Sequence, residues 1–562
     1  MTAHRVLWHV WDAAAHWAVR RLLDEGDLPA LRSVVGAGML TAAEPSWPNA
    51  QTPAALATLF TGLDPADHGV TGFMTPDPPR GILGRRRGFA PEALYAAPIW
   101  DRLDPEHSDA MLVHVPWAVR EPEGPFSPGL RFAIDGYSRR VRRGGVVVLD
   151  GTPGDSEALP VGSVAASRPV EDIVAIESLE GRRMSLRLDA GWRAWCSGTA
   201  PATLVRAVRR PSDGVPLLLQ LGAWETTSAP DACARSVARR ADPFVGEGLG
   251  RFYRRGVFGP TLLDGGDGGA ERILLSTVEQ AARYFTRVSR VALDALGPAS
   301  LTVVYQPCID DLAHELTGLC DPASPVFDAE LATTAWLSLR AAYRWADAHL
   351  GALLRHADPE TLVVVSSDHG MAGMSHDVYA NAILERAGLL VFDCKGEIDP
   401  RRTQIALSPA GDGSIWVNSV ERPGGSVPRS RVEETVERAE RALTAVRESS
   451  SGRHVVSEVL CSRNRLRPEL GDAYLVLAPG FHLKTGPAPG SSAVVATRKT
   501  GGHLTNTGAP SLAGILAAAG PGLPAAWRAM LVNNRDVAPW LLSVLAASPR
   551  PPQGTAEVGV AR

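Results

Sequence analysis

Runs of consecutive apolar residues alternate with amphipathic stretches towards both ends of the chain. The runs RVLWHVW (5–11), ASLTVVYQP (299–307) and TLVVVSSD (361–368) are apolar at successive positions, which is typical of strands buried on both faces. Helical patterns accompany them in HWAVRRLLDEG, which ends at a glycine, in QTPAALATLFTG and in LATTAWLSLRAAYRWADAHLGALLRHA. This alternation predicts an α/β fold with a central, mostly parallel sheet flanked by helices.

Between residues 74 and 265 the pattern changes to short strand-like pieces separated by turns, such as GGVVVLDGTPGD and RRMSLRLDAGWRAW. We therefore predict a core made of 1–73 and 266–545, a large β-rich cap insertion at 74–265 and a disordered tail at 546–562. An amphipathic helix returns the chain to the core. Its apolar face is predicted to comprise Leu274, Val278, Ala281, Phe285, Val288, Ala292 and Ala295.

Composition and charge limit the classes of partner. The chain has 562 residues, a formal net charge of -4 and a pI near 6.4, so nucleic acid is not expected as a bulk partner. Its six cysteines are far apart and form no CxxC pair, which indicates reduced thiols. The N-terminus lacks the features of a signal peptide, and no apolar run reaches membrane-spanning length. We expect a soluble, cytoplasmic protein without a membrane partner; the sequence indicates no particular oligomeric state.

Polar residues follow several of the apolar strands. Asp12 closes the first strand, Asp368 and His369 close TLVVVSS, and Asp310 comes shortly after SLTVVYQP. Ligands bind at the carboxyl edge of the strands in open α/β sheets, so these side chains are expected to converge. An adjacent Asp and His cannot share a partner within a regular strand, but they can where the backbone turns at its end.

Two further histidines are candidate ligands. Asp310 and His314 are four residues apart in IDDLAHEL, a spacing that places both side chains on one face of a helix. Asp311 competes with Asp310, because an offset of three from His314 is also permissible. His503 lies in the glycine-flanked loop TGGHLTNTG. The residues alone leave the choice between the two aspartates open.

The helical pattern TPAALATLFTG (52–62) has two interpretations. Thr52 precedes a proline at the first predicted helical position, so it fits an N-cap residue. The N-terminus of a helix also favours a phosphoryl group, because its backbone N–H groups are free and its dipole is positive there. A hydroxyl at this place, beside a divalent ion that lowers its pKa, is a potential nucleophile.

These motifs, in this order, resemble the alkaline phosphatase superfamily, and within it the type I phosphodiesterase and nucleotide pyrophosphatase branch. The motifs are HVWDAA, the run from Thr52 through TG to DPADHGV, YQPCIDDLAH, SDHGM and GGHLTNTG. The resemblance covers 1–73 and 266–545 and leaves most of the insertion unaccounted for. It implies an alkaline-phosphatase-like fold and selects Asp310 over Asp311.

The resemblance also implies two divalent metal ions and a covalent mechanism. One ion would be held by Asp12, Thr52, Asp368 and His369, and the other by Asp310, His314 and His503. Imidazole nitrogen and carboxylate oxygen suit zinc, and the same set could hold manganese. Thr52 would be the nucleophile, and a phosphothreonine would be the intermediate. A small phosphate-containing molecule is the implied substrate.

The sequence leaves several functions to compare. No arginine or lysine occurs between Thr52 and Gly62, where alkaline phosphatases themselves hold a monoester dianion with an arginine. We therefore favour hydrolysis of phosphodiester or pyrophosphate bonds. A phosphomonoesterase or phosphotransferase on the same scaffold is the first alternative, and a non-catalytic binding homologue is the second. A sulfatase is disfavoured because it requires a cysteine in place of Thr52.

Overall fold

The computed structural model of the protein describes the greater part of the chain. The described residues are 5–118, 129–136, 141–149, 164–166, 172–178, 180–196, 202–224, 227–229, 236–237, 239–241, 245–464, 466–504 and 508–546. The predicted tail lies outside them from residue 547 onward.

A nine-stranded sheet forms the centre of the molecule. Its strands in chain order are β1 (Arg5–Trp11), β2 (Met39–Glu44), β3 (Ala110–Val113), β4 (Leu130–Asp135), β5 (Thr227–Ala229), β6 (Leu301–Gln306), β7 (Thr361–Ser366), β8 (Gly514–Ala519) and β9 (Val532–Asn533). They are arranged in the order β5-β4-β3-β6-β1-β7-β8-β2-β9. Neighbouring strands are parallel except where β5 meets β4 and where β8 lies between β7 and β2. The sheet is therefore mostly parallel.

Strand β1 lies between β6 and β7, and the register aligns their carboxyl ends. Trp11 is opposite Gln306 in β6, and Val10 is opposite Ser366 in β7. Strands β6 and β7 are buried throughout, and so is β1 after its first residue, as the apolar runs predict. The residues that follow these three strands consequently meet at one edge of the sheet.

Helices cover the sheet, and a glycine or an aspartate marks several of their ends. The helices are α1 (His16–Glu25), α2 (Pro29–Ala37), α3 (Thr52–Thr61), α4 (Pro65–His68), α5 (Gly250–Arg254), α6 (Gly269–Leu296), α7 (Cys308–Cys320), α8 (Ala329–Leu354), α9 (Ala380–Arg386), α10 (Val432–Thr444) and α11 (Val537–Ala546). Helix α1 ends at Gly26, whose φ of 83° is in the left-handed region. Asp328 caps α8 by accepting hydrogen bonds from the backbone N–H groups of Glu330 and Leu331. The predicted α/β fold class is confirmed.

Helix α6 packs most of its predicted apolar face into the core. Residues from Leu274 to Ala292 on that face are buried. Ala295 is exposed, so its prediction as a core residue is wrong. It lies in the last turn, just before the helix ends at Gly297, and helical periodicity alone does not show where packing against the core stops.

Further small sheets surround the central one. Within the predicted insertion, they comprise Met74–Pro76 with Arg85–Arg87, Val141–Arg142 with Ala223–Trp224, a four-stranded sheet of Gly145–Val148, Arg193–Trp195, Thr203–Arg209 and Pro216–Gln220, and a three-stranded sheet of Val164–Ala166, Ile173–Ser178 and Arg183–Arg187. Strands β3, β4 and β5 also come from 74–265, but they extend the central sheet. A short strand has the same local sequence pattern in a cap as at the edge of the central sheet. The limits of the cap at residues 74 and 265 therefore stay a prediction.

A second hydrophobic core lies beside the first, within the later part of the chain. It packs α9 and α10 against a four-stranded sheet of Ile405–Leu407, Ser414–Val417, Val456–Cys461 and Ala473–Leu477. Nearby sheets pair Ala372–Gly373 with Gly501–Gly502 and join His376–Tyr379, Phe481–Lys484 and Val494–Ala496. In the part of the chain that the structure describes, no helix is long and apolar enough to cross a bilayer.

Candidate two-metal active site

The turns after β1 and β7 bring Asp12, Asp368 and His369 together. The backbone N–H of Asp12 donates to the carbonyl of Gln306 at 3.0 Å, which continues the β1–β6 pairing to the edge of the sheet. Asn534 orients the other turn, because its side-chain amide donates to the carbonyls of Ser367 at 3.0 Å and Asp368 at 2.8 Å. Asn534 is fully buried and far away in the sequence, so no local signal identifies this role.

Three oxygen atoms surround one imidazole nitrogen at this edge. Nε2 of His369 is 3.4 Å from Oδ1 of Asp12, 3.3 Å from Oδ2 of Asp368 and 3.4 Å from Oγ1 of Thr52. All four side chains are buried. The residues come from the ends of β1 and β7 and from the start of α3, and together they form a compact first cluster.

Asp310, His314 and His503 form a second cluster. Oδ1 of Asp310 is 3.4 Å from Nε2 of His314 and 3.6 Å from Nε2 of His503. The two imidazole nitrogens are 3.3 Å apart. The aspartate and the first histidine share one face of α7, and His503 approaches from the loop that follows Gly501–Gly502. The rings of His503 and His369 are stacked with centroids 3.8 Å apart, so the two clusters adjoin.

Backbone carbonyls determine which nitrogen of each histidine is free. The carbonyl acceptors facing the Nδ1 atoms are Gly370 O at 2.9 Å for His369, Gly501 O at 3.1 Å for His314 and Ala50 O at 2.6 Å for His503. A carbonyl oxygen can only accept, so Nδ1 carries the proton in each ring. The Nε2 lone pair then points into the cluster, as in histidines that ligate metals.

Asp12 and Asp368 each have one oxygen that accepts hydrogen bonds from the protein and one that has no partner. Asp12 accepts a hydrogen bond from the hydroxyl of Tyr305, and Oδ1 of Asp368 accepts from the backbone N–H groups of Ala13 and His369. Among the described residues, Asp12 Oδ1, Asp368 Oδ2 and Asp310 Oδ1 are buried without a hydrogen-bond partner. Buried polar atoms seldom lack a partner, so these oxygens are suited to a cation.

Burial of these carboxyl groups changes their protonation. Burial, followed by the charge of Asp368, raises the pKa of Asp12 well above its ordinary value. Burial raises the pKa of Asp368 to about 7 and that of Asp310 to about 6. It lowers the pKa of His314 and His503 well below their ordinary values, so both rings are neutral near pH 7. Neutral imidazole is the form that binds metal ions.

The spacing within each cluster matches the coordination sphere of zinc. Zinc bonds of about 2.0 to 2.1 Å in a tetrahedral arrangement place neighbouring ligand atoms about 3.3 to 3.4 Å apart. The six separations described above for the two clusters are 3.3 to 3.6 Å. Imidazole, carboxylate and hydroxyl ligands suit zinc and are also compatible with manganese. The residues therefore fit two divalent ions.

Thr52 lies at the start of α3 but does not cap it. Helix α3 begins at Thr52 itself, Gln51 occupies the N-cap position, and no side chain makes a capping hydrogen bond. The hydroxyl of Thr52 instead faces Nε2 of His369. The structure does not support the N-cap interpretation, because a capping hydroxyl would bond the backbone N–H two or three residues later.

Asp311 points to another part of the molecule. One of its oxygens accepts a hydrogen bond from the backbone N–H of Gly248 at 3.2 Å. The side chain of Asp310 is the one that faces the two histidines of the second cluster. Tyr305 is a further site residue that the sequence analysis did not identify, because its strand pattern is that of a buried apolar residue.

A comparison with protein families gives a match over two segments of the chain. The family described as type I phosphodiesterase / nucleotide pyrophosphatase matches residues 18–140 and 240–504. No curated protein matches the chain. The span between the two matched segments is shorter than the predicted insertion, and it begins after β4.

Solved structures of similar fold span nearly the whole chain. Phosphonoacetate hydrolase from Sinorhizobium meliloti 1021, in complex with phosphonoformate, is 14% identical with a TM-score of 0.50, and the match covers 97% of this chain and 96% of that one. Human ectonucleotide pyrophosphatase/phosphodiesterase 5 is 12% identical with a TM-score of 0.46, with 98% and 97% covered. Because the family match extends over well more than half of the sequence, the protein belongs to the type I phosphodiesterase and nucleotide pyrophosphatase family.

Proposed function

We propose that the protein is a two-metal hydrolase that cleaves phosphodiester or pyrophosphate bonds of a small molecule. Family membership indicates a phosphoester hydrolase. The observation that carries the finer proposal is the pair of clusters in which ligand atoms are 3.3 to 3.6 Å apart. Such spacing suits ligand atoms arranged around one divalent ion, which supports a metal ion in each cluster.

In the proposed reaction, Oγ1 of Thr52 gives its proton to solvent water and attacks phosphorus. A new P–O bond to Thr52 forms while the bond to the leaving oxygen breaks, and the leaving group takes its electron pair. Water then attacks the phosphothreonine, which releases the phosphoryl product and restores the hydroxyl. Two divalent ions supply a lowered pKa for the nucleophile and stabilisation of negative charge on the leaving oxygen.

The protein's own side chains prepare this chemistry. Asp12, Asp368 and His369 would hold one ion on the side from which Thr52 attacks. Asp310, His314 and His503 would hold the other ion on the adjoining side, where an in-line displacement places the leaving oxygen. The start of α3 adds backbone N–H groups and the positive end of the helix dipole.

Relative rates on two substrates test the reaction class. We expect a higher kcat/KM for bis(4-nitrophenyl) phosphate than for 4-nitrophenyl phosphate, because no lysine or arginine follows Thr52 in α3 to hold a monoester dianion. A preference for the monoester would indicate the alternative, a phosphomonoesterase or phosphotransferase. Hydrolysis of neither substrate by the zinc-loaded protein would contradict the proposed function.

The two neighbouring aspartates provide a matched pair of variants. Asp310→Ala removes a carboxylate from the second cluster and should reduce turnover by at least a hundredfold, with loss of one bound metal ion. Asp311→Asn keeps an acceptor for Gly248 N–H and should change turnover by less than about tenfold. Kinetics and metal content of both purified variants check this. The reverse order of effects would show that Asp311 is the ligand.

The raised pKa values predict how zinc stabilises the protein at different pH. Because the pKa of Asp310 is raised to about 6 and that of Asp368 to about 7, the metal-free folded state binds protons that the unfolded chain has released. Stability of the metal-free protein therefore falls as pH rises from about 4 through about 7, and protons compete with zinc at low pH.

We accordingly expect zinc to raise Tm more at about pH 8 than at about pH 5.5. Thermal unfolding with and without zinc at both pH values measures the difference. Asp310→Ala is the control. At about pH 8, zinc should raise the Tm of this variant less than it raises the Tm of the unmodified protein. An equal rise at the two pH values in the unmodified protein would mean that these carboxyl groups do not bind the ion.

A further inference from the structure

The segment that precedes His503 is fixed against α7. The hydroxyl of Thr500 donates to the carbonyl of Glu315 at 2.7 Å, and the backbone N–H of Met374 donates to the carbonyl of Thr500 at 2.7 Å. A Cβ atom on Gly501 would lie 2.3 Å from the carbonyl oxygen of Ala313, so only glycine permits this close approach. Lys499, the residue before this segment, is thereby held next to the second cluster.

Lys499 interacts electrostatically with that cluster. Its charge acts on Asp310 and also on His314 and His503. The side chain is half-buried, so water screens these interactions only in part. It is one of three lysines in the chain, and a second one, Lys484, also acts on it.

The other cations around Lys499 have partners. Arg254 forms an ion pair with the buried carboxylate of Glu315. Lys484 is 3.6 Å from Oδ1 of Asp377. Within the described residues, the ammonium group of Lys499 forms neither an ion pair nor a hydrogen bond. Asp310 and Glu315 compensate its charge only from a distance. Asp310 already faces His314 and His503, and Glu315 is paired with Arg254.

Loading of the second cluster would leave Glu315 as the remaining counter-charge of this lysine, and that carboxylate is already paired with Arg254. A divalent ion held by Asp310 more than neutralises that carboxylate, and the neighbouring Arg254 and Lys484 add further positive charge. A half-buried charge is costly unless it is paired. An anionic group of the bound substrate would pair with the ammonium group of Lys499. The positive potential around Lys499 would also attract such a substrate.

We infer that Lys499 determines specificity by binding a negative charge on the leaving group, either a phosphate or a carboxylate. This inference rests on the proposed function, which places the leaving oxygen beside the Asp310 cluster. A charge-assisted hydrogen bond to the leaving group would select substrates such as pyrophosphate diesters over diesters whose leaving group is uncharged. Lys499 is not required for the displacement itself.

Three substrates that differ in the charge of the leaving group test whether Lys499 binds a phosphate, a carboxylate or neither. Bis(4-nitrophenyl) phosphate has an uncharged substituent on its leaving group, a P1,P2-diester of pyrophosphate has a phosphate there, and bis(4-carboxyphenyl) phosphate has a carboxylate. The variants are Lys499→Met, Lys499→Arg and, as a matched control, Lys395→Met, which changes an exposed lysine elsewhere. The kcat, the KM and the metal content are measured for each zinc-loaded protein.

For Lys499→Met, we expect kcat/KM to fall at least tenfold more for a substrate with a charged leaving group than for bis(4-nitrophenyl) phosphate. Whichever of the two charged substrates shows the larger fall in kcat/KM identifies its group, phosphate or carboxylate, as the one that Lys499 binds. Lys499→Arg should recover part of the loss, and Lys395→Met should resemble the unmodified protein. Equal losses on all three substrates would overturn the inference and leave the proposed function intact. Failure of the unmodified protein to hydrolyse any of them would overturn both.

Discussion

Replacement of Thr52 by alanine is expected to reduce turnover of a phosphodiester at least a thousandfold. A loss of that size corresponds to a barrier increase of about 4 kcal/mol. The hydroxyl of Thr52 lies 3.4 Å from Nε2 of His369 in the first cluster, and it makes no capping hydrogen bond to α3. Its removal should therefore cost the transition state its nucleophile while leaving Tm nearly unchanged.

A conservative variant and a control sharpen this test. Thr52→Ser keeps the hydroxyl and should retain substantial activity. Thr61→Ala, at the other end of the same helix, loses a buried hydroxyl that donates to the carbonyl of Ala57 at 2.6 Å. It should lower stability by about 1 kcal/mol without a comparable loss of turnover. Turnover by Thr52→Ala within about tenfold of the unmodified protein would exclude Thr52 as the nucleophile.

Removal of divalent metal ions is expected to abolish activity. Without cations, the carboxyl groups of Asp12 and Asp368 are buried side by side and their pKa values are raised, so the first cluster holds protons instead of an ion. The nucleophile then loses the charge that lowers its pKa, and the leaving oxygen loses its stabilisation. Chelation followed by dialysis and a phosphodiester assay measures the effect.

Adding different ions to the metal-free protein tests which metals support activity. Zinc or manganese should restore activity, with two ions bound per chain. Calcium should not, because it prefers six to eight oxygen ligands and the second cluster offers two imidazole nitrogens. Full activity in protein that contains no metal would exclude the two-metal mechanism. Restoration by one tightly bound ion per chain would show that only one cluster is needed.

The pattern of the amino-acid sequence is sufficient to predict several of the strands and helices and the polar residues at their ends. The apolar runs at 5–11 and 361–368 form buried strands as predicted, because successive apolar residues suit a strand covered on both faces. Gly26 ends α1 through its left-handed conformation. Because parallel strands end at one edge of a sheet, Asp12 and Asp368 could be grouped from the sequence alone.

Other features depend on contacts between distant parts of the chain, and these become visible only in the folded protein. Asp310 and Asp311 are both compatible with local helical spacing, and the orientation of α7 against the loop of His503 turns the first of them toward the cluster. Strands β3 and β4 have the pattern of any short strand, and their pairing next to β6 assigns them to the central sheet. The surroundings of Lys499 come from segments more than two hundred residues apart, so its unpaired charge has no local signature. Local pattern specifies which structure a segment prefers, whereas the free energy of packing selects which of its side chains face a site.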